Sequence, residues 1–267
     1  HSSNPGAIIR YATSKGTLHQ IHIQNMDEQH EDFLQLTKSK TSVSEIATVV
    51  VASGGGLVET FRSLGAAAIV PGGQTMNPST KEILNAVESV SSDKVIILPN
   101  NSNIVLTANQ VQPLTAKEVE VVATETIPQG VVALLSFNYD ASLEDNGSAM
   151  EEARKKVRTV EITRAVRSSK IGDTQIEKGQ VIVLLDGELI GVGNNVSVVL
   201  LDAVLNLDME NSEIITIYYG ADTEQADAEA MADEIRHRYP QLEAELIYGG
   251  QPNYNYIVSI EQENTIS

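Results

Sequence analysis

The fold is decided by a short stretch at residues 46–56, in which the apolar run IATVVVA is followed directly by SGGG. A continuous apolar run of this length is typical of a parallel strand that is buried on both faces. The glycines favour a tight turn into a helix, which we expect to end near Gly65. The stretch therefore predicts the first strand and the first crossover helix of an open α/β sheet.

The same alternation of strand, turn and helix continues outward from this stretch. Further strands are predicted at 67–70, 94–98 and 120–124, with helices at 80–90 and 104–111. Because parallel strands are joined through right-handed crossovers, the helices should cover both faces of the sheet. We predict that residues 45–130 form a first lobe, an open and mainly parallel sheet with helices on both faces.

From residue 131 the pattern becomes that of a mixed α/β sheet. Asp186-Gly187 separates two apolar runs and is a two-residue hairpin signal. Other predicted strands lie at 160–166, 213–219, 243–248 and 256–260, and predicted helices at 131–137, 149–157, 196–205 (a buried helix) and 225–239. We predict a second, mixed α/β lobe over residues 131–267 and a polar linker over residues 25–44.

The composition excludes several classes of protein. The 267 residues include no Cys, which excludes disulfide scaffolds, zinc ribbons and thiol catalysis by this chain. Asp and Glu number 36 against 18 Lys and Arg, and the formal charge of −18 would repel nucleic acid. No apolar run reaches the roughly 20 residues of a membrane-spanning helix, so we expect a cytoplasmic protein without an integral membrane segment. The chain begins with His1, and we expect it to be a piece of a longer protein.

The charge is unevenly distributed along the chain. Residues 201–267 contain many acidic residues and only two basic ones, Arg236 and Arg238. A basic run in the second lobe consists of Arg154, Lys155, Lys156, Arg158, Arg164, Arg167 and Lys170. These two regions are either ordinary solvated faces or charged surfaces that engage a partner.

Three polar loops follow predicted strands, at the positions where ligands bind in open α/β sheets. They span residues 53–56, 72–79 and 100–103. The first lacks the Gly-Lys-Ser/Thr of a phosphate-binding P-loop and the third glycine of a dinucleotide fingerprint. It is therefore a weak motif when taken alone.

The second of these loops contains the most specific candidate site. It could receive a carboxylate or a phosphate at the start of the following helix. The residues that would do so are Gly72, Gly73, Thr75, Asn77 and Ser79. The alternative is that Asn77 or Ser79 only caps that helix. The Gly-Gly-Gln of this loop recurs at residues 249–251, so Gln251 is predicted to face it across a cleft between the lobes.

No catalytic residues are predicted from the sequence. His19 and His22 would point to opposite faces of an alternating strand, so we do not expect them to share a metal ion. We find no Ser-His-Asp set, no pair of carboxylates in an apolar setting and no Lys beside a glycine-rich loop. The pattern therefore does not favour an autonomous phosphotransferase.

Several stretches of this sequence resemble one known family. GGQTMNPST at 72–80 and VIILPNNSNI at 95–104 are similar to the C-terminal region of the bacterial fatty acid kinase catalytic subunit. That family carries an N-terminal nucleotide domain of the dihydroxyacetone-kinase type (the DAK or DhaL-domain family). The resemblance extends to HSSNPG at 1–6, to residues 25–30 and to YGGQPNYNY at 248–256, and so covers nearly the whole chain.

The resemblance implies a parent protein of three parts. A kinase domain that binds ATP and Mg²⁺ would precede this chain, and residues 1–24 would be the tail of a middle domain implicated in homodimer formation. The remainder would be a DegV-like two-lobe unit, with no cofactor of its own. His1 matches the second histidine of a His-x-His pattern whose partners lie upstream, so it would belong to an incomplete metal site.

The resemblance also implies a function for the parent protein, which would phosphorylate a fatty acid presented by a separate DegV-like carrier protein. The first interpretation is that this chain is a noncatalytic domain acting in carrier docking or regulation, through the basic run or the acidic residues 201–267. The alternative is that the interlobe cleft binds a fatty acid or another anionic metabolite at residues 75–79. Arg164 and Arg167 would then be the nearest cations of the second lobe.

Overall fold

A computed structural model describes residues 45–74, 76–207, 209 and 212–262. The predictions for the tail 1–24, for the linker 25–44, and for His1 and Thr75 lie outside the described residues. Everything described belongs to one compact unit, Ser44–Ser267.

The first sheet is parallel throughout, with the strand order β2-β1-β3-β4. Its strands are β1 (Ile46–Ala52), β2 (Ala68–Pro71), β3 (Lys94–Leu98) and β4 (Glu118–Val121). Every residue of β1 is buried, as the continuous apolar run predicts. The predicted mainly parallel sheet is therefore confirmed.

Helices cover both faces of this sheet. They are α1 (Gly55–Ser63), α2 (Thr80–Ser89), α3 (Ser102–Asn109), α4 (Ile127–Leu135) and α5 (Leu143–Arg154), with a 3-10 turn at Gln112–Leu114. One core contains Phe61, Leu134 and Met150, and the other contains Ile83 and Ile104. Because α4 and α5 pack on the first sheet, its core continues well past residue 130; the lobe boundary there stays a prediction.

The second sheet is mixed, with the strand order β11-β10-β12-β5-β8-β9. Its strands are β5 (Val157–Arg164), β8 (Val181–Leu185), β9 (Glu188–Gly193), β10 (Ser212–Tyr219), β11 (Glu243–Tyr248) and β12 (Tyr254–Gln262). Only the pair of β10 and β11 is parallel among the described strands of this sheet. The helices α6 (Val196–Leu205) and α7 (Gln225–Arg238) cover one face, where Val160, Ile162 and Leu200 lie in a common core.

The predicted hairpin at Asp186-Gly187 is confirmed. Both residues have positive φ, 50° and 87°, which is the backbone that a two-residue turn of type I′ requires. A separate small hairpin, β6 (Ser169–Ile171) and β7 (Thr174–Ile176), was not expected from the sequence. Its strands have three residues each, which is too short to display a period.

Two predictions for the second half of the chain were wrong in detail. The helix expected at 149–157 is α5, which begins at Leu143 because the Ser142 side chain accepts a hydrogen bond from Asp145 N. The residues that follow α5 begin β5 at Val157 instead of continuing the helix. The helix α6 is not fully buried, since 64% of Val198 is exposed.

Candidate functional site

The first glycine-rich loop contacts the second sheet. At the start of α1, Leu57 N donates to the Gly249 carbonyl oxygen over 2.9 Å. A Cβ atom on Gly56 would overlap the Tyr248 carbonyl oxygen, and one on Gly54, whose φ is 104°, would lie 2.6 Å from Gln251 N. The glycines therefore allow the loop after β11 to sit against the N-terminus of α1, the position a phosphate would take in a P-loop.

The other two loops use their capping groups on their own helices. Ser79 forms a capping box with Glu82: its Oγ accepts from Glu82 N over 3.3 Å, and Ser79 N donates to the Glu82 carboxylate over 2.8 Å. The backbone and side-chain hydrogen bonds from Ser79 lower the pKa of Glu82. Asn101 caps α3 by accepting from Asn103 N over 2.9 Å. For Ser79 the structure thus matches the capping alternative.

A cavity of about 280 Å³ lies between the two sheets, beside these loops. Gly72, Gly73 and Gln251 from the candidate site line it, whereas Asn77 lines a neighbouring depression beside α2. Thr75 lies outside the described residues. Part of the wall is apolar and is formed by Leu57, Pro99, Ile127 and Ile257.

A hydrogen-bonded chain of side chains forms the polar end of this cavity. The Tyr254 hydroxyl donates to the Glu161 carboxylate, and the Gln74 amide donates to the Tyr254 oxygen. Asn101 Nδ2 in turn donates to Gln74 Oε1 over 2.9 Å. The chain links β5 and β12 of the second sheet to two loops of the first sheet.

Glu161 is the titratable group at the centre of the polar end. Burial raises its pKa to about 7, and the charge of Asp186 adds to the rise, although the hydrogen bond from Tyr254 opposes it. Burial and the neighbouring Glu161 charge raise the pKa of Tyr254 above its usual value. Glu161 therefore keeps its proton to a much higher pH than an exposed glutamate does, and Tyr254 stays protonated at neutral pH.

Two buried amides stand at the ends of parallel strands beside the cavity. Gln251 Nε2 donates to the Tyr218 carbonyl oxygen over 3.0 Å, and Asn100 Nδ2 donates to the Val51 carbonyl oxygen over 3.0 Å. Their amide oxygens have no hydrogen-bond partner; Gln251 Oε1 lies against Gly249, and Asn100 Oδ1 lies against Gly130. Gln251 is thus part of the framework of the site as well as of its lining.

The structure divides the basic run into two groups. Arg154 and Lys155 form ion pairs with Glu151 and Glu152, one turn earlier in α5. Arg158 and Arg164 lie near opposite ends of β5, roughly 20 Å apart at about 3.3 Å per residue. The described lining of the cavity contains no Lys, Arg or His, so Arg164 and Arg167 do not face it.

Glu161 is the titratable residue of the cavity that the sequence alone does not identify. It lies between Val160 and Ile162, which point into the core under α6 and α7, and it shares the opposite face of β5 with Thr159. Thr159 Oγ1 is hydrogen-bonded to Thr126 Oγ1 of the first lobe over 2.8 Å. The available signal was the alternation of β5, which places Glu161 on the face opposite the apolar residues Val160 and Ile162.

Neither a metal centre nor a membrane span is visible in the described part of the chain. Within these residues, no three His, Asp or Glu side chains group closely enough to hold a metal ion. Every helix among them falls short of the length and apolarity that crossing a membrane would require. His1 lies outside these residues, and its metal-binding role stays a prediction.

Family models match both ends of this chain. The FakA-like C-terminal model of the fatty acid kinase proteins matches residues 47–261, and the FakA-like middle-domain model matches residues 1–33. Protein YloV of Bacillus subtilis is 40% identical over 271 residues, covering 98% of this chain and 48% of that protein. The chain thus spans about half the length of the curated relatives it matches.

Solved structures share the fold at low sequence identity. DegV, a fatty acid binding protein from Bacillus subtilis, aligns with a TM-score of 0.59 at 13% identity, covering 82% of this chain and 99% of DegV. The Fak B3 protein of Streptococcus pneumoniae, solved with linoleic acid, aligns with a TM-score of 0.51 at 11% identity. The alignment covers 70% of this chain and 77% of Fak B3. These alignments confirm the predicted DegV-like fold.

Proposed function

This chain belongs to the FakA-like fatty acid kinase family, and from that premise we propose that its DegV-like unit is a noncatalytic docking domain for a fatty-acid carrier. One observation carries the proposal: the candidate anion site is filled by the protein itself. The N-terminus of α1 donates a hydrogen bond to the Gly249 carbonyl oxygen. Ser79 and Asn101 each cap their own helix, and Glu161 forms part of the cavity wall. A cleft of this kind is poorly suited to a carboxylate or a phosphate.

The proposed partner is a DegV-like fatty-acid carrier, and we take Fak B3 as an example of such a protein. Fak B3 holds linoleic acid and has the same fold as this unit, so docking would bring together two units of the same fold. In the parent protein, ATP and Mg²⁺ would bind the upstream kinase domain, and the middle domain would form the homodimer. We expect the assembly to work in the cytoplasm.

Within the basic run, the better docking surface is the end near β6. Arg164, Arg167 and Lys170 are exposed there, together with Val166 at 81% and Ile171 at 46% exposure. Cations beside exposed apolar side chains suit a partner of opposite charge. By contrast, the cations Arg154 and Lys155 are already paired within α5.

Charge reversal in the parent protein tests this surface. We expect R164E/R167E/K170E to weaken carrier binding at least tenfold by calorimetry, because it removes the complementary charge. The matched variant R154E/K155E/R158E changes the net charge equally and should alter affinity less than threefold. If carrier affinity is unchanged in both variants, the basic run is not the docking surface. A larger loss of affinity in the second variant would place the docking surface at the end of α5.

The second candidate function is binding of a fatty acid in the cavity between the sheets. The apolar wall of Leu57, Ile127 and Ile257 favours it, since an acyl chain needs such a lining. The absence of a cation from the described lining opposes it, because the carboxylate head would meet Glu161 instead. Binding of decanoate to the purified chain tests this candidate.

A further inference from the structure

At the polar end of the cavity a carboxylate lies beside hydroxyl and amide groups that already donate to protein atoms. Tyr254 donates to Glu161, Gln251 Nε2 donates to Tyr218 O, and Asn101 Nδ2 donates to Gln74. The Glu161 carboxylate lines the cavity and has lone pairs left to accept further hydrogen bonds, whereas Gln251 Oε1 is turned against Gly249. A ligand head that donates hydrogen bonds therefore suits Glu161.

The charge at this end points to a cation. The described lining carries Glu161 and no basic side chain, and Asp186 adds a second negative charge nearby. A carboxylate head would be repelled by Glu161, whereas an ammonium head would form a charge-assisted hydrogen bond with it. The net charge of −18 adds to the attraction for cations.

The rest of the cavity sets the size of the ligand. Leu57, Ile127 and Ile257 supply an apolar wall next to the polar end. The volume of about 280 Å³ has room for roughly nine groups of the size of a water molecule, and a methylene occupies about the same space. The cavity therefore suits an unbranched chain of about eight to ten carbons.

We propose that this cavity binds an aliphatic amine, with the ammonium group beside Glu161 and Tyr254 and the chain against Leu57, Ile127 and Ile257. The proposal goes beyond carrier docking and does not depend on it. It also opposes the fatty-acid candidate, because it assigns the same cavity a head group of the opposite charge. Because burial raises the pKa of Glu161, pairing with an ammonium should lower it again, so binding at pH 7 should release protons.

Calorimetry with two probes of equal chain length tests the proposal on the whole 267-residue chain. At pH 8 we expect decylammonium to bind at least tenfold more tightly than decanoate. Glu161→Gln keeps the size and the hydrogen bond from Tyr254 but removes the charge, and should bring the two affinities within about threefold. Glu234→Gln is the matched control, because Glu234 is exposed on α7, across the second sheet from the cavity. In this variant the ratio of the two probe affinities should stay that of the wild type.

Three results would overturn the proposal: decanoate binding as tightly as decylammonium, neither probe binding, or a ratio that Glu161→Gln leaves unchanged. A fourth check uses buffers of different ionisation enthalpy at pH 7. Binding of decylammonium without proton release would contradict pairing with Glu161. Carrier affinity is measured separately, so a failure of the amine proposal is distinguishable from a failure of docking.

Discussion

At the scale of single residues, Glu161 carries an energetic cost in the folded state that Thr159, on the same face of β5, does not. Partial burial desolvates its carboxylate, while Tyr254 gives it one hydrogen bond and Asp186 repels it. Natural cores rarely retain an acidic group under such conditions unless it has a role. The energetic cost of Glu161 is therefore consistent with the ligand-binding role proposed for it in the cavity.

The cost predicts a specific dependence of stability on pH. The pKa of Glu161 is about 7 in the folded chain and near its ordinary value of 4.5 when unfolded, so the folded state binds more protons between these values. The free energy of unfolding should therefore fall by on the order of 2–3 kcal/mol as the pH rises from about 4.5 to 7.

Urea unfolding of the wild type and of Glu161→Gln from pH 4 to pH 8 measures this loss. We expect the variant to be the more stable protein at pH 8 by about 2 kcal/mol, because it has no carboxylate to ionise. The difference should shrink as the pH approaches 4.5. A difference that is constant across this range would show that the Glu161 carboxyl titrates normally.

At the scale of elements, the contact between α1 and the loop after β11 depends on one missing side chain. Gly56→Ala would place a methyl group on the Tyr248 carbonyl oxygen, next to the bond from Leu57 N to Gly249 O. We expect it to lower the free energy of unfolding by about 2–3 kcal/mol, because backbone must move to make room.

Gly55→Ala is the control for this substitution. A Cβ on Gly55 would meet nothing within 4 Å, and alanine favours the first turn of a helix. We therefore expect Gly55→Ala to stabilise the protein by about 0.5 kcal/mol. Equal effects of the two substitutions in urea unfolding would contradict the close approach at Gly56.

The elements also show what the sequence could predict. The bounds of β1, β3 and β11 are those expected at 46–52, 94–98 and 243–248, because apolar runs and clear breaks mark both ends. The predicted start of α5 at residue 149 was wrong because the polar residues Ser142, Glu144 and Asp145 show no apolar helical pattern. In the structure they are a cap and an acidic first turn, which stabilise a helix N-terminus.

At the scale of the whole molecule, the site joins residues that are distant in the sequence. The polar end combines Gln74 and Asn101 with Glu161 and Tyr254, and their meeting depends on how β5 pairs with β12, where Glu161 faces Ile257. Local patterns carry no information on that register. The sequence could therefore predict the loops that border the cleft, but not the charge of the group at its polar end.

The distribution of charge over the molecule leads to a prediction for the parent protein. The exposed cations Arg164, Arg167 and Lys170 are proposed to meet a carrier of opposite charge, and salt screens such contacts. We expect carrier affinity to fall about tenfold between roughly 50 mM and roughly 500 mM salt. In R164E/R167E/K170E the affinity should vary with salt less than threefold; a dependence as steep as in the wild type would assign the contact to other charges.

The bond from Leu57 N to the Gly249 carbonyl oxygen has a consequence for how the chain is made. During translation, α1 emerges among the first helices of this unit, while Gly249 belongs to the last loop before β12. The helix thus leaves the ribosome with an open N-terminus and a hydrogen-bond donor exposed to water. Its partner arrives only when the unit is nearly complete, so most of this unit must be translated before α1 is secured.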